Sequence, residues 1–302
     1  VGVLGKTRIS AIQWRYWDKA LYKSVLSFSV WVTVIQLAQR CIFNIAPSIL
    51  AAFATSTAIT ILGIAICLEG YTFSFASAIN GMFLPRVSRM LTNDNKQELL
   101  DLMTRVGRIQ IYIIGLLCIG FICVGREFIQ LWLGEGYEEV YPCALMIILP
   151  SFLQLPQEIG NTSVVAAGKV KQQAYAFMLM AAMNLLLAYP MTKYWGVEGL
   201  CCSIMIAYLV RTLTMDYIFY KHIQINVLKF FRNSYLRILP SIALSIVLSL
   251  VLFEFLEDGG WYGFILKTLL CVLIYLLSVW VFAMNNNEKH LFALPINRIL
   301  KR

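Results

Sequence analysis

Charge is what this sequence has least of. Only 14% of its 302 residues are charged and 60% are hydrophobic, whereas a soluble domain of this length is nearer a quarter charged and half apolar. The surplus of apolar side chains has to face something other than water, which excludes an ordinary soluble fold. Histidine is scarcer still: His222 and His290 are the two present, both at the edges of apolar runs, so no histidine-centred acid–base or metal chemistry is expected. The eight cysteines include no CxxC pair and no histidine at ligand spacing, and they read as small apolar residues rather than as a metal or redox site. Val1–Thr7 (VGVLGKT) ends like a phosphate loop but lacks the glycine five positions before Gly5. Asn161-Thr162-Ser163 fits a glycosylation acceptor only inside an apolar run. A net charge of +9 fits nucleic acid only with a basic, aromatic-interleaved patch on a soluble fold. The sequence therefore reads as neither an enzyme nor a nucleic-acid binder, and it calls for no cofactor or metal. It also shows no internal repeat, and its start at Val1 reads as a chain lacking an N-terminal portion.

What is abundant is long apolar runs. Eight segments approach the twenty or so residues that a spanning helix needs: Leu26–Ile45, Thr57–Leu84, Ile109–Val124, Tyr141–Ala167, Ala174–Met191, Val197–Ile218, Ile238–Phe255 and Trp261–Met284. They are too long for barrel strands and do not alternate, so the expected fold is an all-α transmembrane bundle. Basic residues sort strictly by loop. All Lys and Arg outside the runs, except Arg126 and Lys193, fall on one side of an alternating topology, and that side includes Arg86, Arg89, Arg105, Arg108, Lys169 and Lys171. The other side carries Glu127, Glu135, Glu138, Glu139, Glu198, Glu254, Glu257 and Asp258. Because Lys and Arg accumulate on the cytoplasmic side, both ends of the chain are expected there. The first twenty-odd residues, with Trp14, Tyr16 and Trp17 beside Arg15 and Lys19, suit a helix lying along the interface or a loop between two bundles.

Polar residues inside the runs are the candidate site. Arg40 sits well inside the first run, where insertion costs about 2.5–3.5 kcal/mol. It belongs to a stripe of Ser29, Thr33, Gln36, Arg40 and Asn44 at intervals of three or four, one face of a helix. Either a carboxylate on a neighbouring helix, such as Glu69, ties it down, or it is a cavity cation for an anionic substrate. Glu69, with Asn80 further along its face, could pair with Arg40, take a coupling cation or proton, or do both. The opposite face of that segment (Ser56, Thr60, Gly63, Cys67, Gly70, Ser74, Ser77, Gly81) is all small and is expected to pack against a helix. The fourth run carries Pro142, Pro150 and Pro156, then Gln154, Gln157, Glu158 and Asn161. Such prolines bend a helix, either for packing or beside a transport pathway. Arg211 and Asp216 lie near the basic end of the sixth run, within snorkelling reach, and Lys267 reads as a snorkelling lysine near the other end.

Several stretches resemble the polysaccharide flippase family of the multidrug/oligosaccharidyl-lipid/polysaccharide exporter superfamily. FLPRVSRM (Phe83–Met90) is similar to its Pro-Arg-x-Ser signature, and YWGVEGLCCSIMIAYLV (Tyr194–Val210) to its GVxG helix entry. Leu155–Tyr175 resembles its helix ending in a Gly-Lys-x-Lys loop, and Arg126–Leu149 its outer loop. The resemblance implies the second lobe of a two-lobed, MATE-like transporter plus two extra C-terminal helices. Its divisions would be an inter-lobe segment at 1–25, a six-helix lobe at 26–222, two added helices at 223–284 and a basic tail at 285–302. It further implies export of undecaprenyl-pyrophosphate-linked oligosaccharide across the bacterial inner membrane, for O-antigen, lipopolysaccharide or other surface polysaccharide synthesis. Membrane lipids, a polysaccharide polymerase and other assembly proteins would be its partners. Arg40 falls where the family has an Asp-Arg pattern, with Gln39 in place of the acid. The candidate cavity set is Arg40, Gln36, Thr33, Asn44, Glu69, Gln154, Glu158, Asn161 and Arg211. The alternatives are a cation-coupled multidrug antiporter or lipid II flippase of the same superfamily, and a membrane-embedded saccharide polymerase or ligase, which the short acidic outer loops disfavour.

Overall fold

A backbone amide in hydrocarbon has no water to bond, so each apolar run must satisfy its own N–H and C=O groups. The computed structural model describes residues 19–77, 83–93, 95–256, 259–285 and 288–289, and among these every regular element is helical. The elements are α1 (Lys19–Ala51), α2 (Ser56–Ser77), α3 (Leu84–Thr92), α4 (Lys96–Leu133), α5 (Val140–Gln154), α6 (Glu158–Ala166), α7 (Val170–Ile218), α8 (Val227–Ser234), α9 (Leu239–Phe253) and α10 (Gly260–Ser278). The expected interfacial segment before Lys19, Asn80, Gly81 and the basic tail after Lys289 lie outside the described residues, as does the side chain of Ser77.

Among the described residues, seven helical stretches are long and apolar enough to cross a membrane, against the eight runs of the sequence. The difference lies in α7. Its 49 residues contain Gly196 at φ 58°, ψ −136°, outside any helical region. Ser203 Oγ bonds Asn184 Oδ1 at 3.1 Å, whereas nineteen residues of straight helix would separate them by about 28 Å. The stretch is thus an antiparallel pair, an outgoing arm to Trp195 and a return arm from Val197, and both predicted runs are present. Other ends follow local chemistry. Asn95 caps α4 by accepting from Glu98 N at 3.2 Å, and its own amide donates to the Glu98 carboxylate at 3.0 Å. In the fourth run the helix stops at Gln154, tightens through Leu155–Gln157 around Pro156, and resumes as α6, the bend that the prolines predict.

The helices form two apolar cores. One gathers Ile35, Ile42 and Leu50 of α1, Leu62 and Ala65 of α2, Ala144 and Ile147 of α5, and Phe177, Leu200 and Ile204 of α7. The other gathers Met103 and Ile111 of α4, Phe230 of α8, and Cys271 and Tyr275 of α10, with α3 and α6 alongside. The last two spans therefore belong to the α4 side.

Three expectations need correction. The small-residue face of α2 does not pack against the described residues: Ser56, Thr60, Gly63, Cys67 and Ser74 are exposed, and a methyl group added at Gly63 or Gly70 would meet nothing within 4 Å. Ala58, Ile61, Leu62 and Ala65 are the buried positions of that helix, because they bring more apolar surface to the core. Lys267 does not snorkel. It is buried and donates to Glu127 of α4 at 3.1 Å. Arg108, counted above with the loop basics, is buried inside the bundle and paired with Glu288 at 2.6 Å.

Candidate functional site: a polar cavity walled by α1, α2, α5 and α7

On α1 the buried positions Ile35, Ala38, Ile42 and Ala46 recur every three or four residues, and this face packs against α7. Arg40 is two residues from Ala38, about 200° round the axis. Packing that face therefore turns Arg40 outward together with Gln36 and Asn44. These three meet Glu69 and Phe73 of α2, Gln154 at the end of α5 and Tyr208 of the return arm around a cavity of about 310 Å³, with Gln39 and Phe43 completing the lining. Volumes of this order hold small-molecule ligands.

Five of the nine expected site residues (Arg40, Gln36, Asn44, Glu69 and Gln154) are brought together here. Arg40 and Glu69 share the cavity without forming an ion pair among the described residues, so the structural tie considered for Arg40 is not made. Its guanidinium and the Glu69 carboxylate are both presented to the cavity. Four amides (Gln36, Gln39, Asn44, Gln154) add paired donors and acceptors, and Phe43, Phe73 and Tyr208 add aromatic surface. Phe43 and Tyr208 lie 6.2 Å apart, centroid to centroid. A cation for an anionic group, amides for hydroxyl pairs and aromatic faces for C–H surfaces suit a charged, hydroxyl-rich headgroup.

The other four residues do not line the cavity. Thr33 turns its hydroxyl back to Ser29 O at 2.9 Å, a self-contained helical bond. Glu158 accepts from Asn161 Nδ2 at 2.8 Å in α6, beyond the proline break that ends the cavity wall at Gln154. Arg211 is 4% exposed, and its guanidinium stacks on Phe177 at 4.3 Å. The snorkelling expected of it fails because the return arm aims it into the bundle. Its Nε and Nη1 have no hydrogen-bond partner among the described residues.

The lining residues not anticipated were Gln39, Phe43, Phe73 and Tyr208. Gln39 and Phe43 fall at helical intervals from Gln36 and Arg40, so a stripe read broadly enough to admit an aromatic would have included them. Phe73 is one turn from Glu69. Tyr208 lies one turn before Arg211, and no sequence signal selects it.

A second concavity lies behind the cavity. About 370 Å³ of apolar groove runs between α2, α4, α5 and α10, lined by Leu68, Tyr71, Leu116, Phe128 and Phe264 among others. Glu69 and Phe73 face the polar cavity, while Leu68 and Thr72 face the groove. One helix, α2, thus divides a polar space from an apolar one across about a third of a turn.

Residues 6–142 match a family described as polysaccharide biosynthesis protein. Among solved structures, the chain is similar to the lipid II flippase MurJ in its inward closed conformation, with TM-score 0.59 and 14% identity over 82% of this chain. It spans about half of that protein, 51% of its length, and at this identity the likeness is one of fold. No curated protein matches the chain. The family match takes in Phe83–Met90 and ends within the stretch Arg126–Leu149.

Proposed function

We propose that this chain forms part of a flippase that moves an oligosaccharide linked to undecaprenyl pyrophosphate across the bacterial inner membrane, its basic loops facing the cytoplasm. One observation carries the reading: α2 turns Glu69 and Phe73 to the polar cavity and Leu68 and Thr72 to the apolar groove. An amphiphile with a charged, sugar-bearing head and a long hydrocarbon tail has matching needs, since the head must leave lipid while the tail stays in it. Arg40 would receive the pyrophosphate, and the amides and aromatic rings the sugars. Residues 26–222 would act as one transporter lobe and 223–284 as two added helices. Rocking of that lobe would open the cavity first to one side and then to the other.

The test is Arg40→Ala in the whole protein, expressed at the normal level in a strain lacking its own flippase. Losing a charge-assisted hydrogen bond to phosphate should slow delivery of surface polysaccharide about 10- to 100-fold, and Arg40→Lys should retain part of it. Full recovery with Arg40→Ala would overturn the role assigned to this residue.

A further inference from the structure

The basic end of the α9–α10 hairpin carries a cluster that the cavity does not use. Arg237, in the turn before α9, donates through Nη1 to Asn285 Oδ1 at 2.5 Å. One turn on from Asn285, the Lys289 amine lies 5.9 Å from the centre of the Trp280 ring, and Lys289 N bonds Asn285 O at 2.9 Å. The Arg237 guanidinium and the backbone of Lys289 thus bond the same asparagine, and Trp280 and Leu236 are exposed. Arg232 and Lys229 are exposed on the adjoining α8.

The acid that should neutralise this cluster is turned away from it. Glu288, next to Lys289, points into the bundle. It takes Arg108 Nε at 2.6 Å and Nη2 at 2.9 Å, the Tyr112 hydroxyl at 3.0 Å and Asn285 N at 2.9 Å. Arg108 is held further by Asn233 O at 3.0 Å and Ala283 O at 2.7 Å. The clasp fixes the end of the hairpin to α4 and commits the Glu288 carboxylate to Arg108. From Lys289 to Arg302 the sequence contains no acidic residue.

We propose that this surface binds an anionic phospholipid of the surrounding leaflet, its phosphate between Arg237 and Lys289 and its glycerol region against Trp280 and Leu236. Positive side chains paired with an interfacial tryptophan at the mouth of a helical hairpin are the chemistry that recognises a lipid phosphate at the membrane surface. A lipid carrying two phosphates would use Arg232 for the second. The binding is independent of transport and of what the cavity carries.

Native mass spectrometry of the whole protein, titrated with tetraoleoyl cardiolipin and separately with dioleoyl phosphatidylethanolamine, tests this. Cardiolipin should be retained and phosphatidylethanolamine should not. The double variant Arg237→Gln, Lys289→Gln should weaken cardiolipin about 30-fold, whereas Arg237→Lys, Lys289→Arg should keep it. Inorganic pyrophosphate at the same concentration should not displace the lipid, since it lacks the glycerol and acyl part. Equal retention of the two lipids, or an unchanged affinity in the glutamine variant, would overturn the proposal.

Discussion

Four basic residues in or beside the apolar runs, Arg40, Arg108, Arg211 and Lys267, have four different fates. Arg40 faces a cavity, Arg211 is stacked on Phe177, Lys267 pairs with Glu127, and Arg108 enters a bidentate bond with Glu288. Each carries the same charge, and what separates them is the partner that folding supplies. Burial alone would raise the Glu288 carboxyl, but the hydrogen bond from Arg108 and that from Asn285 N hold it below its ordinary 4.5. A depressed carboxyl contributes stability that is present above its unfolded value and lost as pH falls through the folded one. Glu288→Gln should therefore lower the unfolding stability of the purified protein by about 3 kcal/mol at neutral pH, because it strands a buried guanidinium. The gap to the wild type should close in acid. An equal thermal midpoint for the two proteins at neutral pH would show that the clasp carries no stability.

At the scale of elements, most of the fold was legible. Lengths of apolar run are set by the bilayer, so the eight runs, two of them joined in α7, and the proline break in the fourth could be anticipated from hydrophobicity and proline chemistry alone. What was not legible was which face of a helix packs. The small face of α2 looked like a helix–helix seam, yet Ala58, Ile61, Leu62 and Ala65 carry the burial. Composition along a helix cannot rank two competing faces without the neighbour's shape. The cavity was half legible for the same reason: the stripe Gln36, Arg40, Asn44 is a local pattern, whereas Tyr208 arrives only through the hairpin of α7. That hairpin depends on glycine. Gly196 holds a backbone conformation that L side chains rarely adopt, and a methyl group at Gly199 would stand 2.1 Å from Met191 O. Gly196→Val should cost about 1–3 kcal/mol, seen as a lower thermal midpoint of the detergent-solubilised protein. Gly199→Ala should be worse, since the clash is with backbone that cannot rotate away. Wild-type midpoints in both variants would contradict the reversal at this point.

At the scale of the whole molecule, two apolar cores meet along α4 and α5, and the polar cavity and the apolar groove lie on either side of α2. The bundle is joined to the α9–α10 hairpin by polar ties at both ends of α4: Arg108–Glu288 near one end and Glu127–Lys267 near the other. Between them the Tyr275 hydroxyl donates to Tyr112 O at 2.9 Å. This arrangement makes one prediction about the molecule as a machine, namely that it accepts a substrate whose head is polar and whose tail is hydrocarbon. The most direct measurement is transbilayer movement of a polyprenyl-pyrophosphate oligosaccharide in vesicles containing the whole protein, read by an impermeant glycosidase that cuts only outward-facing sugar. Protein-containing vesicles should expose the sheltered share of this lipid and leave a polyprenyl alcohol without head groups unaffected in its distribution. If the sheltered share stays sheltered, as in protein-free vesicles, the assignment of the cavity to a lipid-linked saccharide is contradicted.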